Sequence, residues 1–145
     1  MPIEASDIFG MRVAAVLALM LTAGAVAAQE SSFLFDLLRK PAYRASWEKL
    51  MKEVQPTPDW LTQFNKNFDG AAGQVVTQTI DGAAYEMAFV CKPQECAAHK
   101  FEVVFETASK KAYGALGGVD NSPAFYGAPP PALQDALAKA IQGKS

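Results

Sequence analysis

The two cysteines of this chain bracket a short polar segment, Cys91-Lys92-Pro93-Gln94-Glu95-Cys96. The residues before and after it alternate between apolar and polar, which predicts two strands joined by this segment. If the cysteines pair, the disulfide closes a small loop, and Pro93 stiffens its tip by fixing its own φ. A rigid polar tip suits insertion into the cleft of another protein, because little freedom is lost on binding. The feature therefore favours a binding protein over an enzyme.

The N-terminal segment predicts export. A positive residue, Arg12, precedes an apolar run of nine residues from Val13 to Leu21, and small residues follow at Val26-Ala27-Ala28. This order is that of a cleavable signal peptide, and the apolar run is too short for a permanent transmembrane anchor. We therefore predict a signal peptide over residues 1–28, no stable membrane anchor and a periplasmic location.

The first ten residues fit a signal peptide poorly, because Glu4 and Asp7 are acidic where positive residues are usual. Translation is therefore predicted to start at Met11. An oxidising periplasm would favour a disulfide between Cys91 and Cys96. Judged by the spacing alone, the alternative to a binding loop is a disulfide that only stabilises a hairpin.

The predicted mature chain, residues 29–145, has the length of one ordinary domain. Export would remove one of the 13 basic and two of the 15 acidic residues, so the remainder is close to neutral. Its basic residues form no run longer than the pairs Arg39-Lys40 and Lys110-Lys111. A nucleic-acid partner is therefore not expected.

Helical periodicity occurs early and late in the predicted mature chain. Pro41 suits the first position of a helix, and Thr57-Pro58-Asp59 is a start signal for the next one, with Thr57 as its cap. Trp60 lies on the apolar stripe of that second helix and is predicted to be a core residue rather than a sugar platform. Pro131 opens a final amphipathic helix that Gly143 stops.

Strand-like alternation fills the region between these helices. Asp81-Gly82 is a two-residue hairpin signal, and Asn121–Pro131 has the proline content of a loop. The strands are predicted to have one buried and one wet face. The fold class is therefore α+β, an antiparallel β-sheet meander flanked by N-terminal helices and a C-terminal helix. The predicted strands cover residues 73–80, 85–91, 101–106 and 112–118.

The carboxylates of Glu102 and Glu106 are the pair that a glycosidase would need. Four residues apart on a strand, they would share a face but lie about 13 Å apart, too far for either glycosidase geometry. A solvated strand face is therefore the preferred interpretation. His99 is the only histidine. Together with the two cysteines it does not supply the four ligands of a structural zinc site. No catalytic residue, metal or cofactor is predicted.

The Cys91-Lys92-Pro93-x-x-Cys96 loop between two strands resembles the inhibitor of vertebrate lysozyme (Ivy) family of Gram-negative bacteria. Pro58-Asp59-Trp60-Leu61, the hairpin before the loop and the C-terminal apolar helix support the resemblance. It implies a periplasmic protein that inhibits c-type lysozymes by inserting the loop into the active-site cleft. Cys91 and Cys96 would then form the frame of the loop, and its contact tip would be Lys92, Pro93, Gln94 and Glu95. The resemblance also implies a homodimer.

The loop departs from the family pattern at two positions. The family's usual loop is Cys-Lys-Pro-His-Asp/Asn-Cys, and its histidine hydrogen-bonds the two catalytic carboxylates of the lysozyme. Gln94 can donate from its amide but carries no charge, and Glu95 brings a negative charge near an anionic cleft. Two alternatives therefore stay open. One is an inhibitor of an endogenous lytic transglycosylase, whose single catalytic acid Gln94 would contact, and the other is a non-inhibitory envelope protein.

Overall fold

The computed structural model describes residues 32–143, and in that range the fold is α+β, as predicted. The predicted signal peptide lies outside the described residues. Within them, no helix combines the length and hydropathy that a bilayer span requires. The elements follow in the order α1 (Leu34–Leu38), α2 (Pro41–Met51), α3 (Asp59–Asn67), β1 (Ala71–Ala72), β2 (Val76–Ile80), β3 (Ala83–Cys91), β4 (Lys100–Glu106), β5 (Ala112–Gly118), β6 (Asn121–Tyr126) and α4 (Pro131–Ile141).

The strands form one antiparallel sheet, in which β2 to β5 follow the predicted meander order and β6 extends it beyond β5. The short strand β1 pairs with the end of β3, on the same edge as β2. The β2–β3 hairpin turns at Asp81 and Gly82, whose φ values are 49° and 79°. Positive φ at both positions is the type I′ geometry that an Asp-Gly pair favours, so the hairpin prediction is confirmed.

Helices cover both faces of the sheet. One core cluster joins α1, α2 and α3 to the face that carries Phe101, Val103 and Phe105. A second cluster joins α4 to the opposite face through Leu133, Leu137 and Ile141, which contact residues including Val104. The central strands β3 and β4 are therefore buried on both sides, and the prediction of one wet face is wrong for them.

The helix starts follow the proline signals with one shift. Pro41 and Pro131 each occupy the first turn of their helices, as predicted. Helix α3 begins one residue later than its signal suggested, because Pro58 and not Thr57 is the N-cap residue. The Thr57 hydroxyl instead donates a hydrogen bond to the Val54 carbonyl oxygen at 2.6 Å.

The segment Asn121–Tyr126, which was predicted as part of a loop, forms strand β6. It pairs only with β5 and is therefore an edge strand of the sheet. Proline is tolerated in edge strands because its missing N–H faces away from the ladder, and Pro123 lies in this one. The proline content of the segment thus indicated an edge strand rather than the absence of a strand.

Candidate functional site

A disulfide joins Cys91 and Cys96, with an Sγ–Sγ distance of 2.09 Å and a Cα–Cα distance of 4.9 Å. Cys91 is the last residue of β3 and is only 4% exposed, because Ala71 and Lys100 flank it on the two neighbouring strands. The predicted pairing is confirmed. Neither cysteine is fully exposed, because Cys96 is half-buried and Cys91 anchors the loop in the sheet.

Beyond this anchor the loop extends into solvent. Pro93, Gln94 and Glu95 are exposed, whereas Lys92 is half-buried. Gln94 has a φ of 67°, in the left-handed region. The backbone N–H of Glu95 donates to the Lys92 carbonyl oxygen at 3.0 Å, so a hydrogen-bonded turn forms the tip.

The connection between β3 and β4 is longer than the disulfide ring, since it continues to His99. The Lys92 N–H donates to the His99 carbonyl oxygen, which closes the base of the connection at 3.0 Å. The Glu95 carbonyl oxygen accepts from the N–H groups of both Ala98 and His99, at 3.1 and 3.0 Å. These bonds, with the disulfide, hold the tip in one shape before any partner binds. His99 is exposed.

The turn after β5 supports the connection from outside. The Val119 N–H donates to the Ala97 carbonyl oxygen at 3.0 Å. At Gly118 a Cβ atom would lie 2.2 Å from the Ala98 carbonyl oxygen, so only glycine leaves space for this approach. This support cannot be read from the sequence, because the residues are 20 and 22 positions apart and meet only through the pairing of β4 with β5.

The charges on the loop neutralise each other. Lys92 Nζ lies 2.5 Å from Glu95 Oε2, and both side chains are partly exposed. The hydrogen bond and charge of Lys92 lower the pKa of Glu95, with a smaller contribution from His99. Glu95 is therefore ionised and engaged with Lys92. The repulsion expected between Glu95 and an anionic cleft is reduced by this internal partner.

A groove lies beside the loop, between it and helix α3. Its volume is about 370 Å³, and Cys91, Lys92 and Pro93 form one wall while Trp60 and Phe64 contribute to the other. Trp60 also lines a depression of about 150 Å³ next to His99. Trp60 is thus only half-buried. The prediction that it is a core residue is correct only for the part of the side chain that packs against the core cluster.

Glu102 lies in the core rather than on a solvated strand face. It is 5% exposed, directly opposite Phe89 on β3 and Ala115 on β5. Burial raises its pKa to about 8, partly offset by the charge of Lys100. Glu106, at the end of the same strand, is half-buried. Among residues 32–143, no group of histidine, cysteine, aspartate and glutamate side chains is arranged to hold a metal ion.

Comparison with known proteins connects this loop to a family. The model of the family described as "Inhibitor of vertebrate lysozyme (Ivy)" matches residues 42–143, which include the whole loop and the strands on either side. The chain belongs to the Ivy family. Over 128 residues it is 26% identical to the "Inhibitor of vertebrate lysozyme" of Pseudomonas aeruginosa, covering 79% of this chain and 81% of that protein.

A second relative of this Ivy-family chain is an uncharacterised protein of Yersinia pestis. The two are 27% identical over 88 residues, which cover 61% of this chain and 54% of that protein. The family is named for inhibition of an enzyme, and the resemblance seen in the loop sequence is thereby confirmed.

Proposed function

We propose that this protein is an exported inhibitor of c-type lysozyme that occludes the active-site cleft with the loop Cys91–Cys96. One observation supports the proposal most strongly: a disulfide-closed, exposed polar tip lies on the part of the chain that matches the Ivy family. The tip is held by its own hydrogen bonds, so binding does not have to order it. Lys92, Pro93, Gln94 and Glu95 are the residues proposed to contact the target.

The chemistry of a lysozyme cleft fits a donor at the tip. Such a cleft contains one carboxyl kept protonated by an apolar pocket and one that stays ionised. The Gln94 amide has two donor hydrogens and one acceptor oxygen, so it can donate to the ionised carboxylate and accept from the protonated one. It does this without charge, and a neutral hydrogen bond contributes less than a charged one. We therefore propose a weaker inhibitor of c-type lysozyme than a variant with an imidazole at position 94.

The uncharged amide also favours a second candidate target. A lytic transglycosylase uses a single catalytic acid, which the Gln94 amide would contact. The internal Lys92–Glu95 pair leaves the loop with no net formal charge, which is consistent with a cleft of lower negative charge. The two targets differ in the number of carboxyls that the tip meets.

A cell-wall turbidity assay with the oxidised protein tests both targets in parallel. We expect slower lysis by c-type lysozyme, and loss of this effect when Cys91 and Cys96 are both changed to Ser. Ala108→Ser is the matched control, because Ala108 is exposed in the β4–β5 turn at the opposite end of the sheet. Inhibition of the transglycosylase alone would favour the second candidate. No inhibition of either enzyme would contradict the proposal and favour the non-inhibitory envelope protein.

A further inference from the structure

The loop carries its own counter-ion for its only cation. Lys92 is the single basic residue and Glu95 the single acidic residue between Cys91 and Cys96. Their charged atoms are 2.5 Å apart, and the side chains are 42% and 49% exposed. The turn formed by the Glu95 N–H and the Lys92 carbonyl oxygen fixes the two backbones relative to each other. The pair is therefore a property of the loop itself and requires no other element.

An exposed pair of this kind is easily exchanged. Ion pairs in contact with water contribute little, because solvent screens them and the long side chains lose freedom. The lysine ammonium is a compact charge on a flexible stem, so it can turn from one carboxylate to another without backbone movement. The backbone of Lys92 meanwhile stays fixed by its hydrogen bond to His99 and by its neighbour Cys91 in the sheet.

We infer that Lys92 supplies the positive charge that the ionised carboxylate of the target's cleft requires, and that Glu95 competes with that carboxylate for it. The inference rests on the proposed occlusion of a cleft by this loop. It assigns the positive charge that the Gln94 amide lacks to Lys92, another residue of the same tip. The partner is accordingly a cleft with at least one ionised carboxylate, which replaces Glu95 as the contact of the ammonium group.

The inference predicts opposite effects for the two members of the pair. Lys92→Met removes the cation, so the inhibition constant for c-type lysozyme should rise about fivefold or more. Glu95→Gln releases the cation, so the inhibition constant should fall about two- to fivefold. Lys92→Arg keeps the charge and should stay within about twofold of the unmodified protein. A pair that only stabilises the loop would give weaker inhibition for both Lys92→Met and Glu95→Gln.

The experiment measures inhibition constants for the oxidised protein and these three variants at low and at physiological salt. Intact mass confirms the disulfide in each, and near-UV circular dichroism confirms that the fold is kept. Opposite effects of Lys92→Met and Glu95→Gln, larger at low salt, would support the inference. Inhibition by Glu95→Gln alone, with an inactive unmodified protein, would also support it.

Two results would overturn the inference, and they are distinguishable. Weaker or unchanged inhibition in both Lys92→Met and Glu95→Gln, with an active unmodified protein, would refute the role of Lys92 and leave cleft occlusion standing. No inhibition by the unmodified protein or by any variant would refute the proposed function, and the inference with it.

Discussion

The backbone of Gln94 has an unusual conformation. Gln94 is exposed, and its φ of 67° lies in a region that few residues other than glycine adopt. The disulfide from Cys91 to Cys96 and the hydrogen bonds of the closed loop hold it there. A side chain presented on a fixed backbone loses little freedom when it binds. The chemical type of residue 94 therefore decides which hydrogen bonds this position of the tip offers to a partner.

Gln94→His should strengthen inhibition of c-type lysozyme about fivefold at pH 5.5, because a charged donor replaces a neutral one. The gain should shrink as the pH rises through about 6.5, where an unperturbed imidazole loses its proton. Inhibition constants at pH 5.5 and 7.5 measure it. Gln94→Asn is the control, since asparagine tolerates the left-handed backbone and stays neutral. Equal inhibition by all three proteins at both pH values would show that residue 94 does not meet the cleft carboxylates.

Glu102 should make the fold less stable as the pH rises. Its pKa is about 8 in the folded state, so between about pH 4.5 and 8 the folded protein keeps a proton that the unfolded chain has lost. The free energy of unfolding should therefore fall by about 1.4 kcal/mol per pH unit in this interval from this group alone. Glu102→Gln should remove that part of the slope in urea denaturation at pH 5, 6.5 and 8.

Glu106→Gln is the matched control for Glu102, because Glu106 lies on the same strand and is only half-buried. Its urea denaturation at the same three pH values separates the loss of a carboxyl on this strand from the loss of the buried one. Identical pH dependence in Glu102→Gln and the unmodified protein would mean that the carboxyl of Glu102 is not held neutral in the core.

Among the elements, the β3–β4 connection depends on the turn after β5. Its hydrogen bonds run within the connection except at Ala97, whose carbonyl oxygen accepts from Val119. Next to this bond, Gly118 leaves no space for a side chain against Ala98. The position of the tip relative to the sheet is therefore set partly by a segment that contributes nothing to the loop itself.

Gly118→Ala should displace the connection, because its Cβ would lie 2.2 Å from a backbone carbonyl oxygen that cannot move alone. We expect weaker inhibition together with a lower free energy of unfolding, by about 1–3 kcal/mol as for other overpacked sites. Inhibition assays and urea denaturation measure the two effects. Ala108→Ser is the control, since Ala108 is exposed in the turn at the opposite end of the sheet. Unchanged inhibition and stability in Gly118→Ala would show that the turn does not support the loop.

Features that depend on residues close in sequence could be predicted, whereas features that depend on distant residues could not. The hairpin at Asp81-Gly82 and the disulfide across five residues are short-range features, and the sequence predicted both. The burial of Glu102 depends on α4 packing on the sheet from thirty residues away, so alternation along β4 alone suggested a wet face. The edge position of β6 likewise explains a proline in a strand, but an edge is defined only by the assembled sheet.

At the scale of the molecule, residues 32–143 form a sheet enclosed between helices, and the β3–β4 connection extends from the end of that sheet. Both core clusters are assembled from residues distant in sequence, whereas the candidate site is almost entirely one continuous segment. This difference explains why the loop could be identified from the sequence, while its surroundings could not. Trp60 lines the groove beside the loop because α3 packs next to the end of β3. A homodimer, implied by the family resemblance, stays a prediction.

Export stays a prediction as well, and one measurement decides it. The mature protein should begin near Gln29, because the small residues at Val26-Ala27-Ala28 form the predicted cleavage site. Intact mass of the protein released from the periplasm by osmotic shock gives the N-terminus directly. Retention of residues 11–28, or recovery of the protein only in the cytoplasm, would refute the periplasmic location.

The central claim is that the loop Cys91–Cys96 occupies the sugar-binding cleft of c-type lysozyme. Calorimetric titration of the oxidised protein into lysozyme, with and without a short N-acetylglucosamine oligosaccharide that fills the cleft, tests it most directly. The oligosaccharide should weaken the apparent affinity by the factor that its own concentration and dissociation constant dictate, because one cleft cannot hold both. An affinity that does not change at saturating oligosaccharide would place the contact outside the cleft and contradict the claim.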